Sequence, residues 1–598
     1  MMGRRRPQQS LYSADTQYLD FVGEDTFYGF LARHGRELFP DEKFAAIYRD
    51  GFGRPSVPPG MLAIALLLQT HDKASDAEAT RRATYDMRWK VALGVEMDEK
   101  PFAKSTLQQF RAQLIIHDRA RAIFERSLQL ARGTGLLKGR TSRLAVDSTQ
   151  VLGRGAVEDT CNLIAHGVAK LCRALAAVEA PQTKVEDWAN ERGLSRYFGS
   201  SIKASRDVDW DDAEAKEAFL TELIADGERV LAMARQTRCS LEEGGEADAR
   251  IAQAAELLTV LLWQDVEPTE RGYGIKRGTA KDRVPSVEDP QQRHGHKSHN
   301  RSFTGHKLQV AVDVDSLVIT DVAVTPGNEP DGQSAAGLVK RSEEALSAGF
   351  EDAGDGDDDR DEDGDDDDGT GGVRVEQVIG DTAYGSTKVR KELEVREVIA
   401  PTVKGGRGAA IPKDEFEIDL ENDTVTCPEG QTTEHYTWVK YRRSEDDTVK
   451  VKRFVFDTQL CRACPRHAEC VTGKLRRGRS ITLHPDEGIL QQARALEKTE
   501  YFRETYRERV VVEHRIGRLV ALGMRQSRYF GREKTQFQAL MSAAVANFTL
   551  TMGRMGSEGR FCGFMRRILR RCRPQNAIRG LLTWMGMIRE ITAPVAAA

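Results

Sequence analysis

The amino-acid sequence predicts an α/β core that is interrupted by insertions and preceded by an all-α domain. Strand-like runs rich in Val and Ile lie at 143–152, 307–315, 317–325, 373–381 and 397–403. The second and third runs, KLQVAVDVD and LVITDVAVT, are separated by one residue, which is typical of a hairpin. Long helical patterns occupy 156–265 and 488–526, and residues 1–135 are mostly helical in character.

These patterns divide the chain into consecutive segments. We expect an N-terminal helical domain (1–138), a first part of the core (139–155), a helical insertion with a basic loop (156–290), core hairpin strands (291–350), an acidic disordered loop (351–372), further core strands (373–410), a Cys-rich insertion (411–487), core helices (488–555) and a basic C-terminal tail (556–598).

One helix of the N-terminal domain has two interpretations. In FAKSTLQQFRAQL (102–114), Ser105 and Gln108 have the spacing of a capping box. Gln109 and Arg111 would then project from the first turns, as in the second helix of a helix-turn-helix. The alternative is an amphipathic helix that packs in a bundle.

Charge and cysteine usage restrict the class of protein. The net charge is -4, but residues 351–369 carry 13 acids and one arginine, so the rest of the chain has -4 + 12 = +8. A basic remainder suits a polyanionic partner, although it is also typical of ordinary solvated surface. The longest apolar run, MLAIALLL (61–68), is too short to span a bilayer, so we expect a buried helix and no membrane. Nine cysteines without the spread of a disulfide framework favour the cytosol.

Three carboxylates are candidates for chemistry. Asp147 and Asp381 each follow an apolar strand-like run, and the carboxyl ends of strands in an α/β sheet can meet in one crevice. Either could instead cap a turn. Glu513 lies four residues beyond Arg509 and seven beyond Tyr506, so we expect all three on one helix face. The alternative is an Arg509–Glu513 surface pair.

These segments resemble the three catalytic segments of DDE transposases of bacterial insertion sequences. Tyr506, Arg509 and Glu513 fit a signature of one large group, whose lysine position is Val520 here, with Arg518 or Arg525 available to replace it. Further similarity follows in order, in DMRWKVALGVEMDEKPFAKSTLQQFR (86–111), SFTGHKLQVAVD (302–313), TPGNEPDGQ (325–333), GMRQSRYFG (523–531) and the helix ending at Asn547.

The resemblance, which covers most of residues 20–550, implies an RNase H-like catalytic core and an N-terminal DNA-binding domain. Asp147, Asp381 and Glu513 would be catalytic and would hold two Mg²⁺ or Mn²⁺ ions, since hard cations prefer oxygen ligands. The protein would bind double-stranded DNA at the transposon's terminal inverted repeats, cut it, and join 3′ ends to target DNA, as a homodimer at the nucleoid. Alternatives are an RNase H-like nuclease without strand transfer and a non-catalytic regulator.

Basic, aromatic and histidine residues near these segments are candidate DNA contacts. The stretch RHGHKSHNRSFTGHK (293–307) favours a phosphate-contacting loop over a zinc site, because no Cys or carboxylate lies within it. Asp331 is an accessory acid or a turn residue. The predicted contacts are Lys297, Arg301, His306, Lys307, Tyr384, Tyr506, Arg509, Arg518, Arg525 and Arg528.

A cysteine cluster lies between the second and third carboxylates. Cys461 and Cys464 have knuckle spacing, and Cys427 and Cys470 complete a set of four thiolates that suffices for tetrahedral Zn²⁺. The alternative is a loop of reduced, metal-free cysteines. Similar insertions at this place in related transposases favour structural zinc.

Overall fold

The computed structural model describes residues 1–5, 10–49, 53–199, 201–205, 208–298, 300–351, 372–393, 395–403, 411–442, 447–471 and 478–558. The acidic loop predicted at 351–372 lies outside this description except at its two ends, and so does the C-terminal tail after Glu558. The fold is mixed α/β, as predicted, and the chain forms two compact units. Of the described residues, the first unit contains 1–139, 348–351 and 543–558, and the second contains 140–347 and 372–542.

The first unit is helical. Its helices are α1 (Ala14–Val22), α2 (Phe27–Leu38), α3 (Pro59–His71), α4 (Asp76–Tyr85), α5 (Met87–Leu93), α6 (Lys104–Ile116) and α7 (Ala120–Gly133). The predicted buried helix is confirmed, because every residue of the apolar run 61–68 within α3 is buried. The proline at the first position of α3 has no N–H to satisfy, which suits a helix start.

The capping-box prediction for α6 is wrong. The helix begins two residues earlier, with Ala103 instead of Ser105 at the N-cap and no side-chain cap, so Ser105 lies within the first turn. Arg111 does not project outward, because its side chain is buried and pairs with Asp76 at 2.7 Å. Gln108 donates to the same carboxylate at 3.0 Å. At these positions α6 packs in a bundle, as in the second interpretation.

Asp72, at the C-terminus of α3, joins four helices through one buried carboxylate. It accepts hydrogen bonds from Tyr28 Oη at 2.7 Å, Arg82 Nη1 at 2.7 Å and Trp89 Nε1 at 2.8 Å, and His71 Nδ1 lies 2.8 Å away. Burial by itself would raise the pKa of Asp72, but these partners hold it well below its ordinary value. The carboxylate therefore stabilises the helical unit in its ionised form.

Replacing Asp72 by Ala is expected to lower the free energy of unfolding by about 3–5 kcal/mol, because it leaves buried donors without their acceptor. Urea unfolding of the full chain, followed by helical circular dichroism, measures the change. Arg81→Ala is the control: its ion pair with Glu78 is exposed, so stability should hardly change. Equal losses in both variants would contradict the role of Asp72.

The second unit is built on a six-stranded mixed sheet. Its chain contains β1 (Thr141–Leu152), β2 (Val266–Thr269), β3 (Gly272–Ile275), β4 (Arg293–Ser298), β5 (Arg301–Asp313), β6 (Ile319–Pro326), β7 (Arg374–Ile379) and β8 (Glu397–Ile399). The order is β4-β5-β1-β7-β8, with β6 also paired to β5, while β2 and β3 form a separate pair. Strand β1 is antiparallel to β5 and parallel to β7, which is parallel to β8. The predicted β5–β6 hairpin is confirmed.

A glycine permits the closest approach of β5 to β1. Gly305 has φ +154, and a Cβ there would lie 2.1 Å from the carbonyl oxygen of Val151. Any larger residue would push the two strands apart. Because the pairing of β1 with β5 runs on from this point, Gly305 fixes the register that places Asp147 opposite Val310.

Helices interrupt and cover this sheet. The insertion after β1 contains α8 (Thr160–Glu179), α9 (Val185–Glu191), α10 (Ala213–Arg238) and α11 (Glu246–Trp263), which share an apolar core. In the described part of the chain, α8 is the one helix long and apolar enough to cross a membrane. Of its apolar 18-residue segment, 61% is buried inside the protein. Burial among the neighbouring helices accounts for its composition. Helices α12 (Ala335–Glu351) and α13 (Thr387–Glu392) flank β7 in the chain.

The Cys-rich insertion forms two small sheets. Its elements are β9 (Glu417–Asp419), β10 (Thr424–Thr426), β11 (Thr432–Thr433), β12 (Tyr436–Arg442), β13 (Thr448–Val455), α14 (Thr458–Ala463), α15 (His467–Cys470) and β14 (Ser480–Thr482). The sheet orders are β11-β10-β9 and β12-β13-β14. Phe416, Val425, Phe454, Phe456 and Ile481 belong to one small core that both sheets share.

Three helices follow where one long helical pattern was predicted. They are α16 (Glu487–Glu497), α17 (Glu500–Arg507) and α18 (Val510–Leu519), and a π-helical turn covers Val520–Met524. Gly523 within this turn has φ 103, which ends the helical path. Helix α19 (Arg532–Glu558) then contributes residues to both units.

Candidate functional site

The sheet register brings Asp147 and Asp381 to the same level. Asp147 lies in the middle of β1, and Asp381 follows the end of β7 by two residues. Ala145 of β1 pairs with Ile379 of β7 in parallel register. Each aspartate is two residues beyond this pair, so the two carboxylates leave neighbouring strands side by side.

Burial and neighbouring charge act together on Asp147. Burial raises its pKa to about 6, the carboxylates of Asp381 and Glu513 add to the rise, and two donors oppose it. These donors are the backbone N–H of Ser148, at 2.7 Å from Oδ1, and Arg509 Nη1, at 2.9 Å from Oδ2. Asp381 and Glu513 therefore each lie within electrostatic reach of Asp147.

Arg509 joins two of these carboxylates. Its Nη1 donates to Asp147 and its Nη2 donates to Glu513, whose side chain is 48% exposed. Helix α18, which carries Glu513, packs against β1 and β5. Arg509 and Glu513 do form an ion pair, as the alternative interpretation of a surface pair predicted. It is not isolated, because the same guanidinium also binds the buried carboxylate on β1.

The prediction that Tyr506, Arg509 and Glu513 lie on one helix is wrong, but their side chains are neighbours, because the Arg509 guanidinium lies 5.9 Å from the centre of the Tyr506 ring and pairs with Glu513. Helix α17 ends at Arg507 and α18 begins at Val510, with Arg509 at its N-cap position. Tyr506 stacks on Phe502 of its own helix, with ring centroids 5.7 Å apart.

Tyr384 is a buried residue rather than a DNA contact. It is 1% exposed, and its hydroxyl donates to Gln309 Oε1 at 3.0 Å. Burial raises its pKa well above the ordinary value. Gln309 lies on β5 opposite Ser148 of β1, so Tyr384 ties the turn after Asp381 to the strand beside Asp147.

Two further predicted DNA contacts are engaged within the protein. His306 is fully buried, with Nε2 3.7 Å from Asp289 Oδ2, so its side chain is not accessible to DNA. Lys307 is largely buried and pairs with Asp331 at 2.9 Å, and it donates to the carbonyl of Glu329 at 2.7 Å. Asp331 is thus the partner of a lysine at the edge of this region.

Other predicted contacts remain accessible. Lys297 on β4, Arg301 at the start of β5 and Arg525 are exposed, whereas Tyr506, Arg518 and Arg528 are half-buried. The backbone carbonyl of Arg525 accepts a hydrogen bond from Leu152 N at 3.0 Å, which places it at the end of β1.

Sequence reasoning missed Arg515. Its Nε and Nη2 atoms are buried and have no hydrogen-bond partner in the described structure, and burial, with Arg518 nearby, lowers its pKa to about 10. Its position two residues after Glu513 and three before Arg518 was the available signal. A guanidinium held in this way is suited to an anionic ligand.

The carboxylate set suits divalent cations by its chemistry. Among the residues that the structure describes, no group of three or more His, Cys, Asp or Glu side chains is arranged to hold a metal ion. However, the Asp147 carboxylate is only 19% exposed, the charges of Asp381 and Glu513 act on it, and one guanidinium partly compensates it; hard cations prefer oxygen donors of this kind.

The four clustered cysteines line one cavity of about 540 Å³. Two of their sulfurs accept backbone hydrogen bonds: Cys427 from Gln431 N at 3.4 Å and Cys461 from Arg479 N at 3.5 Å. Burial raises the pKa of Cys470, and the other three thiols raise it further. Thiolate donors suit Zn²⁺, a cation of borderline softness, and all four cysteines are free of disulfides.

Two family models match the chain in separate segments. One, described as a transposase domain (DUF772), matches residues 17–113, and another, described as a transposase DDE domain, matches residues 426–550. No curated protein and no solved structure matches the chain. The first segment covers α1–α6, and the second contains the four cysteines, Arg509 and Glu513.

Proposed function

From the two matches, which support a DDE transposase of an insertion element, we propose a reaction for this chain. It binds the terminal inverted repeats of its element, cuts the DNA and joins the 3′ ends to target DNA. The observation that supports the proposal is that the β1–β7 register sets Asp381 beside Asp147, and that Arg509 links Asp147 to Glu513. Such a set of carboxylates is what two-metal phosphodiester transfer requires.

We also propose that the sheet is an RNase H-like core. The order β6-β5-β1-β7-β8, with β1 central, supports this, as do the antiparallel first three strands and the parallel last two. Strand β1 is antiparallel to β5 on one side and parallel to β7 on the other, and this pairing puts Asp147 beside the end of β7. The helical and Cys-rich insertions leave these strands intact.

The chain's own residues have distinct parts in the proposed reaction. Asp147, Asp381 and Glu513 would hold two Mg²⁺ or Mn²⁺ ions, which when bound activate the attacking hydroxyl and stabilise the leaving oxygen. Tyr384 positions the Asp381 turn through Gln309. Arg509 neutralises Asp147 and Glu513 and is placed to bind the phosphate.

DNA phosphates would be bound by accessible cations around the site. Lys297, Arg301 and Arg525 are exposed, and Arg518 is half-buried on the helix that carries Glu513. Duplex DNA from the transposon ends and from the target is the proposed partner. Bridging two ends requires at least two protomers, so we propose a homodimer acting on nucleoid DNA in the cytoplasm.

Purified protein tests the function with Mg²⁺, a labelled duplex carrying the element's own end, and a target plasmid. The expected result is cleavage at the end and a labelled plasmid joined to it. Cleavage without joining would indicate the nuclease without strand transfer. Binding without cleavage would indicate the non-catalytic regulator.

Structural zinc in the Cys-rich insertion is a separate proposal. Cys427, Cys461, Cys464 and Cys470 would hold it, and the ion would join the turn at Cys427 to helices α14 and α15. Their location around one cavity and the two N–H···S hydrogen bonds support this proposal.

Purified wild-type protein is expected to contain about one zinc ion per chain. Cys464→Ser should lose most of it and unfold more readily, because zinc binding contributes folding free energy. Elemental analysis measures the content. Cys239→Ser, at an exposed cysteine of the helical insertion, is the matched control and should keep its zinc. The proposal would be refuted if purified wild-type protein contains no zinc and if a chelator leaves its stability unchanged.

A further inference from the structure

One face of the β12–β13 ribbon combines exposed aromatic rings with lysines. Cross-strand pairs place Trp438 opposite Lys452 and Lys440 opposite Lys450, and Tyr436 lies two residues before Trp438. Because side chains alternate along a strand, these five residues share one side of the sheet. We call Tyr436, Trp438, Lys440, Lys450 and Lys452 the aromatic–basic face.

The rings of this face are exposed and held in place. Trp438 is 58% exposed and Tyr436 is 39% exposed. Lys452 Nζ lies 4.8 Å from the centre of the Tyr436 ring and 5.9 Å from that of Trp438, and it also pairs with Asp423. These cation–π contacts orient the two rings, so little conformational freedom remains to be lost on binding a flat ligand.

Two lysines of this face lie opposite one another and have no acidic partner among the described residues. Lys440 and Lys450 face each other directly in the ladder, and like charges so placed destabilise a sheet. Neither forms an ion pair or a hydrogen bond through its side chain with any residue that the structure describes. A bound anion between them would relieve this repulsion.

We propose that the aromatic–basic face binds an unpaired DNA strand, with a base stacked on Trp438 and phosphates on Lys440 and Lys450. Ring faces next to cations are the general platform for single strands. In a duplex the base faces are stacked on one another, so an exposed tryptophan would find no partner there. The inference rests on the proposed function only for the source of the strand, which is opened DNA at a cut end.

Fluorescence anisotropy of the full chain with a labelled oligo(dT) of about 20 nucleotides tests this, in buffer without added Mg²⁺ or Mn²⁺. Trp438→Ala should weaken oligo(dT) binding roughly fivefold to 150-fold, because each stacked base contributes about 1–3 kcal/mol, and should leave the affinity for a duplex unchanged. Trp210→Ala is the matched control, since Trp210 is 36% exposed and Lys203 lies 5.0 Å from its ring, but in the helical insertion.

The lysines have their own readout. Salt weakens oligo(dT) binding, and the slope of log K against log salt concentration measures this. Replacing Lys440 and Lys450 together by Gln should make that slope less negative by about 0.7 for each lysine. Wild-type binding by Trp438→Ala and by the double variant would overturn the proposal. An equal loss of duplex and oligo(dT) binding would overturn the assignment to an unpaired strand.

These outcomes are separable from failure of the proposed function. A protein that does not cut DNA but whose oligo(dT) binding depends on Trp438 would support this face and contradict the transposase reaction. Normal cleavage together with unchanged oligo(dT) binding in the variants would support the reaction and contradict the role of this face. Because the substituted side chains are exposed or partly exposed, unchanged thermal unfolding and zinc content serve as controls for folding.

Discussion

Asp147→Asn is expected to abolish DNA cleavage while DNA binding remains. The substitution removes a negative charge and one oxygen ligand from the buried centre of the site, where Asp381 and Glu513 also contribute. The loss of about 4 kcal/mol or more of transition-state stabilisation corresponds to roughly a thousandfold or greater loss of rate. Asp381→Asn and Glu513→Gln should show losses of the same order. Cleavage of a supercoiled plasmid carrying the element's ends measures all three.

A glutamate in the same helical region provides the control. Glu508 lies five residues before Glu513 and pairs with Arg143 at 2.7 Å, away from Asp147. Glu508→Gln should therefore cut DNA at nearly the wild-type rate. If Glu513→Gln also cuts normally, the third ligand is another residue. If all three carboxylate variants remain active, the convergence of these side chains has no catalytic meaning.

The parts of the fold that sequence could predict are those set by local pattern. The β5–β6 hairpin followed from two alternating apolar runs, and the burial of α3 followed from eight consecutive apolar residues. Both features depend on residues close together in the chain. The sequence also predicted that Asp147 and Asp381 meet, but at the ends of their strands, whereas Asp147 lies in the middle of β1 and the parallel pairing with β7 brings it beside Asp381.

The errors arose where distant residues decide the outcome. The helical pattern runs through residues 506–513, but the chain breaks between α17 and α18, and Arg509 then reaches Asp147 on β1. The spacing of apolar residues along the chain does not predict that contact. Likewise, His306 and Tyr384 look like exposed contacts in the sequence, whereas Asp289 and Gln309 engage them in the interior.

Arg509 gives the site a cation before any metal binds. Its guanidinium donates to Asp147 and to Glu513, so it faces the same carboxylate groups that a divalent ion would need. The bond to Asp147 is the stronger constraint, because that carboxylate is the more buried of the two. Arginine and metal therefore compete for one set of oxygens. The guanidinium becomes available for phosphate when it is displaced.

Arg509→Gln is accordingly expected to bind Mn²⁺ more tightly than the wild type. If the hydrogen bond to the charged Asp147 contributes about 1.5–3 kcal/mol, its removal should lower the dissociation constant by roughly tenfold to a hundredfold. Electron paramagnetic resonance of free Mn²⁺ gives this constant without any cleavage assay. Arg518→Gln, on the same helix, should bind Mn²⁺ as the wild type does. Arg509→Lys keeps the charge but loses the bidentate fork, so its affinity should lie between the two. Unchanged Mn²⁺ affinity in Arg509→Gln would mean that the guanidinium and the ion occupy different places.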